Sequence, residues 1–283
     1  MILVDLNQVM ISNMLKQIGN HQNAEVDENM IRHMVLNSLR SNRKKFKDEY
    51  GEFIICADDK NYWRRAYFPY YKASRRKAHQ ESELDWNAIF TALNNVREEL
   101  KTFFPYKVIQ IDTAEADDII GTIVHKEGTL LNTGERILIL SGDKDYIQLH
   151  KYTNVNQWDP TRKRWIKHSD PEKYLTEHII KGDRGDGVPN ILSPDNCLVI
   201  GQRQKPVTKK RLEMFEDINN IEETLKRNWA RNKKLIDLGE VPDAIKEQIL
   251  EVYSEGNNKD RSQLFNYFIK NKLKFLMESI QDF

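Results

Sequence analysis

ILILSGDKDYIQL, residues 137–149, decides how this chain folds. Ile137 to Leu140 is an unbroken apolar run of strand length, and it ends in a glycine and two aspartates, Asp143 and Asp145. An apolar run with no polar alternation reads as a strand buried on both faces. The paired carboxylates beyond it are either turn residues in water or ligands for something positive.

The same form recurs along the first half of the chain. Ile2 to Leu6 is a short apolar strand around Asp5, followed by helical spacing from Gln8 to Ile18. Val26, Met30, Met34, Val35 and Leu39 recur at helix intervals and predict a long amphipathic helix. Phe53 to Ala57 is a second strand, ending at Asp58. Ile89, Phe90, Leu93, Val96, Leu100 and Phe103 give a helix that stops before Pro105. Val108 to Ile111 is a third strand, Glu115 to Lys126 a helix, and Arg136 to Leu140 the fourth strand.

Strands alternating with helices predict an α/β fold, a mostly parallel central sheet flanked by helices. In such sheets ligands sit beyond the carboxyl ends of the strands. Those ends carry Asp5, Asp58, residues 112–118, and Asp143 with Asp145. One aspartate after a strand is ordinary turn chemistry; four strands ending this way predict an acidic edge.

Past about residue 150 the pattern changes. Asn154 to Trp158 and Arg164 to Ile166 read as a hairpin, and most of the remainder as helices. Lys181 to Pro189 is a glycine-rich turn holding Asp183 and Asp186. Ile191 to Lys205 reads as a loop, and Val241-Pro-Asp243 as a break before two final helices.

The chain has 283 residues, with 44 Lys+Arg against 43 Asp+Glu, so its net charge of +1 says little about partners. The distribution says more. Two cysteines, Cys56 and Cys197, are too few for a disulfide framework and are expected to be buried in a reducing cytoplasm. No apolar run approaches a membrane span, and MILVDL, without a basic flank, reads as a strand and not as a signal peptide.

Asp5, Asp58, Glu115, Asp117, Asp118, Asp143, Asp145, Asp183 and Asp186 would repel one another strongly if packed together. Mg²⁺, or Mn²⁺ in its place, relieves such repulsion and prefers oxygen ligands. No His/Cys spacing indicates zinc; His79 and His125 read as surface residues. Residues two apart on a helix point roughly 200° apart, so Glu115 and Asp117 both serve only if the helix begins after Glu115, with Thr113 as its cap. Asp117 and Asp118 otherwise read as a negative first turn favoured by the helix dipole. Two cations about 4 Å apart suit phosphodiester hydrolysis, and no Walker-type loop supports NTP hydrolysis instead.

KNYWRRAYFPYYKASRRKAHQ, residues 60–80, contains no acid. Arg64, Arg65, Lys72, Arg75, Arg76 and Lys77 alternate there with Tyr62, Trp63, Tyr67, Phe68, Tyr70 and Tyr71. Bases of this kind track phosphates while aromatic rings stack on unpaired nucleobases; Tyr67 and Phe68 are expected in the core. Arg203, Lys205, Lys209, Lys210 and Arg211 form a second basic run.

With these residues laid out, the chain resembles the flap endonuclease (5′ nuclease) family over essentially its whole length. The resemblance rests on CADDKNYWRR, YYKASRRKA, the EADD of residues 115–118, SGDKDYIQLHKY and KGDRGD, in that order. It implies a catalytic α/β domain over 1–180, with a basic arch at about 60–80, and a helical DNA-binding region over 181–283. It implies a Mg²⁺-dependent 5′→3′ exonuclease and flap endonuclease removing RNA primers during replication, with a 5′-phosphate on the product. Asp5, Asp58, Asp117 and Asp143 would surround the first Mg²⁺, and Asp145 and Asp186 the second. Glu115, Asp118 and Asp183 would act directly or through water. Lys72 and Arg75, in a Tyr71-Lys72-x-x-Arg75 motif, would steer the scissile phosphate.

The expected substrates are 5′-flap, nicked or RNA-primed duplexes, met by Arg64, Arg65, Tyr71, Lys72, Arg75, Arg76, Lys77, Arg203, Lys205, Lys209 and Lys210. The family works with a sliding clamp and a single-strand-binding protein; neither contact is located here, and only four residues precede Asp5. The turn at 182–189 is not followed by the family's paired glycines, which leaves a K⁺ site in doubt. A monomer is expected. A PIN-like ribonuclease would share the acidic edge, but not the basic arch or the helical second half. A DNA-binding protein with vestigial acids would have lost at least one of them.

Overall fold

The computed structural model describes residues 1–18, 27–82, 84–131, 134–217, 219 and 221–283, with the side chains of 17, 18, 76 and 77 outside the description. Six strands form one sheet in the order β3-β2-β1-β4-β5-β6. They are β1 (Ile2–Asp5), β2 (Phe53–Cys56), β3 (Lys107–Ile109), β4 (Ile137–Leu140), β5 (Val155–Asp159) and β6 (Arg164–Ile166). The first five run parallel, and β6 returns antiparallel to β5.

The expected hairpin is therefore present, but it extends the sheet: Ile137 pairs with Val155 and Leu140 with Trp158. Sequence pattern hides this because β5 reads Val-Asn-Gln-Trp-Asp, with no apolar run. Its polar residues bind the turn after β4. Gln157 Nε2 donates to the Ser141 carbonyl at 3.0 Å and also to the Asp143 carbonyl.

Both faces of the sheet are covered, as unbroken apolar strands require. Ile2, Val4, Ile55, Leu138 and Leu140 face a core built with α1 (Leu6–Ile18), α2 (Glu28–Tyr50) and α5 (Trp86–Phe103). Leu3, Ile54, Cys56, Ile137 and Ile139 alternate to the other face, against α6 (Ala116–Glu127) and α10 (Asp243–Ser254). Asp27 caps α2 by accepting from Asn29 N at 2.9 Å; Val26, expected in that helix, lies outside the described residues.

Two short helices, α3 (Trp63–Tyr67) and α4 (Ala73–Gln80), carry the basic stretch. Beyond β6 come α7 (Pro171–Lys181), α8 (Lys209–Phe215) and α9 (Glu223–Ile236). Residues 191–208 contain no helix or strand. They are held by Asn190, whose backbone N–H donates to Gln204 Oε1 at 2.7 Å and whose amide donates to the Lys205 carbonyl at 2.8 Å.

After Pro242 the chain makes three α-helices, where two were expected, and a final 3₁₀ turn (Ile280–Asp282): the α-helices are α10, α11 (Leu264–Lys270) and α12 (Lys274–Met277). The last two are too short to show clear periodicity. They close the first core, not a core of their own. Phe283 is fully buried, with its ring 5.6 Å from Phe104 and 5.2 Å from Phe268, while Arg40 reaches Asp282 at 2.8 Å. Truncating such a ring leaves a cavity that its surroundings only partly refill. Phe283→Ala is expected to cost about 3 kcal/mol, read as a lower urea midpoint at unchanged slope.

Candidate active site

The strand order places the ends of β2, β1 and β4 side by side, and their acids converge because of it. Asp5 is the last residue of β1 and only 4% exposed. Its Oδ1 accepts from Gln8 N at 3.1 Å and its Oδ2 from Ser141 Oγ at 3.0 Å. The Tyr146 hydroxyl stands 3.2 Å from Asp5 Oδ2 and 2.6 Å from Asp117 Oδ1. One hydroxyl has one proton to give, so it joins the two carboxylates without satisfying both. Asp58 Oδ1 accepts from Ala116 N at 2.7 Å, tying β2 to the start of α6.

Burial, then Asp58, pushes Asp5 up to about 7; burial, then Glu115, pushes Asp58 up to about 6. Asp117 and Asp145 are driven well above the carboxylate range by burial and by Asp143, and burial raises Asp143 as well. This is the self-repulsion that close packing of so many acids predicts. Asp112, at the same edge, is exposed.

Glu115 and Asp118 have a different environment. Glu115 is the N-cap residue of α6, in extended backbone (φ −96°, ψ 162°), so the helix begins after it as its pairing with Asp117 requires. Thr113 does not cap the helix; its backbone N–H donates to Asp59 Oδ2 at 3.1 Å. Asp118 Oδ2 accepts from Glu115 N at 2.9 Å and from Trp63 Nε1 at 3.0 Å, while Oδ1 meets Arg64 Nη2 at 2.7 Å. Fully buried, Asp118 accepts from two donors through Oδ2 and pairs with Arg64 through Oδ1, so in this structure it is both a cap of α6 and a counter-ion to Arg64.

Arg64, expected against nucleic acid, is 2% exposed. It bonds Glu115 Oε2 at 3.0 Å and the Leu235 carbonyl at 2.9 Å. Burial favours a neutral Glu115, but Lys72 and Arg64 outweigh it and hold that carboxyl down at about 2. Tyr71 is also buried, its hydroxyl 2.9 Å from both Glu115 Oε2 and Asp186 Oδ2.

Lys72 sits at φ +54°, a left-handed conformation few non-glycine residues adopt. Its backbone N–H donates to the Asp186 carbonyl at 2.7 Å, and its ammonium bonds Glu115 and lies 3.6 Å from Asp186 Oδ2. Burial opposes its charge, but Asp186 and Glu115 raise it well above the usual lysine value. Arg75 bonds Asp186 Oδ1 and donates to the Gly185 carbonyl at 3.1 Å. The arch approaches so closely that a Cβ on Gly187 (φ +76°) would lie 2.7 Å from the Tyr70 carbonyl oxygen.

Asp145 and Asp183 meet through a residue that sequence reading missed. His178, in the last turn of α7, places Nδ1 3.5 Å from Asp145 Oδ1 and Nε2 3.4 Å from Asp183 Oδ2. Its ligand atom and theirs lie within 4.8 Å of one another, a grouping that could hold a metal ion. The available signal was its position on the helix that delivers Asp183. His79 and His125, read as surface residues, are both half-buried; burial draws His125 down to about 4.

Among the other expected contacts, Arg65 is half-buried over the Tyr62 ring, and Arg203, Lys205, Lys209 and Lys210 are all exposed. The side chains of Arg76 and Lys77 lie outside the described residues. Trp63 and Phe68 are core, and Tyr67, expected inside, is 49% exposed. Both cysteines are free and buried, and no helix among the described residues is long and apolar enough to cross a membrane.

Residues 1–179 match the N-terminal resolvase-like domain of 5′-3′ exonucleases, and residues 169–283 the C-terminal domain of T4 RNase H. The chain is 34% identical to the ribonuclease H of Enterobacteria phage T4, over 99% of this chain and 95% of that protein. It is 27% identical to a 5′-3′ exonuclease of Buchnera aphidicola subsp. Acyrthosiphon pisum, over 69% of this chain and 65% of that one. A T5 flap endonuclease solved with DNA and metal ions shares the fold at a TM-score of 0.60 and 18% identity, covering 90% of this chain and 99% of that one. The T5 5′-exonuclease with bound zinc does so at 0.59 and 18%, over 89% and 98%. The chain belongs to the 5′-3′ exonuclease family, nucleases that hydrolyse phosphodiester bonds.

Proposed function

We propose that the protein is a Mg²⁺-dependent 5′→3′ exonuclease and flap endonuclease that removes RNA primers from replicating DNA, acting on RNA–DNA and DNA duplexes. The observation that carries this is the gathering of Asp5, Asp58, Asp117 and Asp143 at one sheet edge, beside a lysine fixed at positive φ: Asp5 is buried, the other three are half-buried, and all four are raised, by burial first and then, for Asp5 and Asp117, by Asp58 and Asp143.

That donor set fits a hard divalent cation, because only added positive charge lets all four ionise together. Asp145 and Asp183, with His178 between them and Asp186 beyond, fit a second; an imidazole there favours Mn²⁺ more than an all-oxygen site would. When bound, such cations neutralise the carboxylates and offset the charge that builds up as water attacks phosphorus.

The protein's own groups do the rest. Lys72 and Arg75 present an ammonium and a half-exposed guanidinium at the mouth of the acidic edge, where a phosphate would be held in line. Glu115 keeps Lys72 charged and aimed. Tyr146 and Ser141 orient Asp5 and Asp117. The exposed bases from Arg203 to Lys210 lie on a surface open to duplex backbone.

A duplex with a labelled 5′ flap separates the readings. Wild type is expected to release short 5′ fragments in Mg²⁺ and none in EDTA, while Asp143→Asn binds the flap without cutting. Tight binding without cutting by wild type, in Mg²⁺ and Mn²⁺ alike, would make this a binding protein.

Lys72→Ala should slow cleavage by about 10²-fold or more, as loss of an electrostatic stabiliser does, with a smaller change in Kd. A normal rate would remove Lys72 from the reaction.

The metal-free protein should also melt differently with pH. Asp5 and Asp58 titrate near 7 and 6 in the folded chain, against about 3.9 unfolded, so folding binds protons and stability falls as pH rises through 6 to 7. Glu115, held at about 2, acts the opposite way but only in the acid range. Thermal melts in EDTA should therefore give a lower Tm at pH 8 than at pH 5.5, and Mg²⁺ should raise Tm more at pH 8. An equal Mg²⁺ effect at both values would contradict the metal-site assignment.

A further inference from the structure

Half of the six aromatic residues that the basic stretch offers for base stacking are spent elsewhere. Trp63, Phe68 and Tyr71 are buried in the protein's own packing. A second aromatic group stands across the arch from them. The His79 ring, from α4, stacks on Trp86 at the start of α5, with centroids 4.1 Å apart and planes 19° apart. Phe90, one turn further along α5, lies 5.5 Å from both and is 36% exposed.

This group forms the outer wall of a cleft of about 820 Å³. Ile11 and Leu15 of α1 continue the apolar side, and Leu15 is 39% exposed. The inner end is of opposite character: Asp58, Tyr62, Lys72 and Arg75, with Arg65 beside them. Burial, then Arg75, lowers the His79 pKa, so its ring is a neutral aromatic surface at physiological pH. Asp85, the other acid on this wall, is engaged as the α5 cap, accepting from Ala88 N at 3.0 Å.

We propose that this cleft binds one unpaired nucleotide of the 5′ flap, its base against Phe90 and Trp86 and its phosphate toward Lys72 and Arg75. The inference rests on the nuclease reading above and names a subsite within it. A flat apolar ring joined to an anion is the ligand whose two ends match the two ends of the cleft. Aromatic faces bind nucleobases without regard to sequence, because every base has a π face, while the cations supply affinity for phosphate. A purely apolar ligand would offer nothing to the cationic inner end of the cleft. A purely anionic one would leave exposed aromatic and aliphatic side chains facing water.

The test compares flapped duplexes with Ca²⁺ in place of Mg²⁺, the first unpaired nucleotide being intact, abasic or 2-aminopurine. Wild type should bind the abasic flap about tenfold more weakly than the intact one, the size of effect expected for one lost stack. The 2-aminopurine signal should be quenched on binding. In Phe90→Ser, altered at a partly exposed position, the intact-to-abasic ratio should fall to about one, and Trp86→Leu should behave likewise. The wild-type comparison involves no substitution in the protein, so it holds even if a variant fails to fold. Equal binding of intact and abasic flaps by a wild type that cuts flaps in Mg²⁺ would overturn the subsite and leave the nuclease reading intact. A wild type that neither binds nor cuts any flap would overturn both.

Discussion

Burying carboxylates is costly, and burying several together is tolerated only where something offsets their charge. The carboxyl edge of this sheet is organised by that constraint, met in two ways. Glu115 and Asp118 are met by fixed protein cations: Arg64 contacts both, and Lys72 contacts Glu115. Asp5, Asp58, Asp117 and Asp143 are met mainly by hydroxyls and backbone N–H groups, and Asp5 and Asp58 rise to about 7 and 6. The first pair is balanced by cations of the protein itself. The second set is unfinished, and its deficit is of positive charge.

Arg64 also explains how distant parts of the chain are held to one geometry. From α3 it reaches the acids at the start of α6 and, through Nε, the Leu235 carbonyl of α9. Gln148 repeats the pattern, its amide donating to Asp145 O and Ile236 O and its carbonyl accepting from Leu238 N at 2.8 Å. Asn232 and Arg231 of α9 in turn bond the Pro189 carbonyl, fixing the turn that carries Asp183 and Asp186. The helices after residue 181 therefore set the position of residues delivered by the sheet. A guanidinium suits this role because its planar fork can satisfy partners in several directions at once.

The sheet's first four strands and their acids were legible in the sequence because both rest on local signals: an apolar run, then an aspartate. β5 was not legible as a strand of the main sheet, since its Asn156 and Gln157 answer to neighbours in space. Arg64 read as a DNA contact because sequence shows a basic stretch but not which of its cations turns inward. Asp118 was separable from Asp117 only by helix geometry: one step around the helix takes the side chain from the open edge to the buried N-cap. His178 lies 33 positions from Asp145 and carries no spacing signal that would join them.

The same bookkeeping of charge describes what a substrate must do on arrival. In the protein alone, Lys72 and Arg75 already have anionic partners in Glu115 and Asp186. A phosphate therefore competes with carboxylates for those cations, and does so at a disadvantage while the acids lack another counter-charge. A divalent cation that takes over Asp186 would free Arg75 and loosen Lys72, so cation and phosphate each make the other's binding more favourable. Glu115, held ionised at about 2, keeps Lys72 in place during that exchange. On the proposed reading, the charge balance seen in the protein alone would make the cation and the phosphate cooperative ligands of one site.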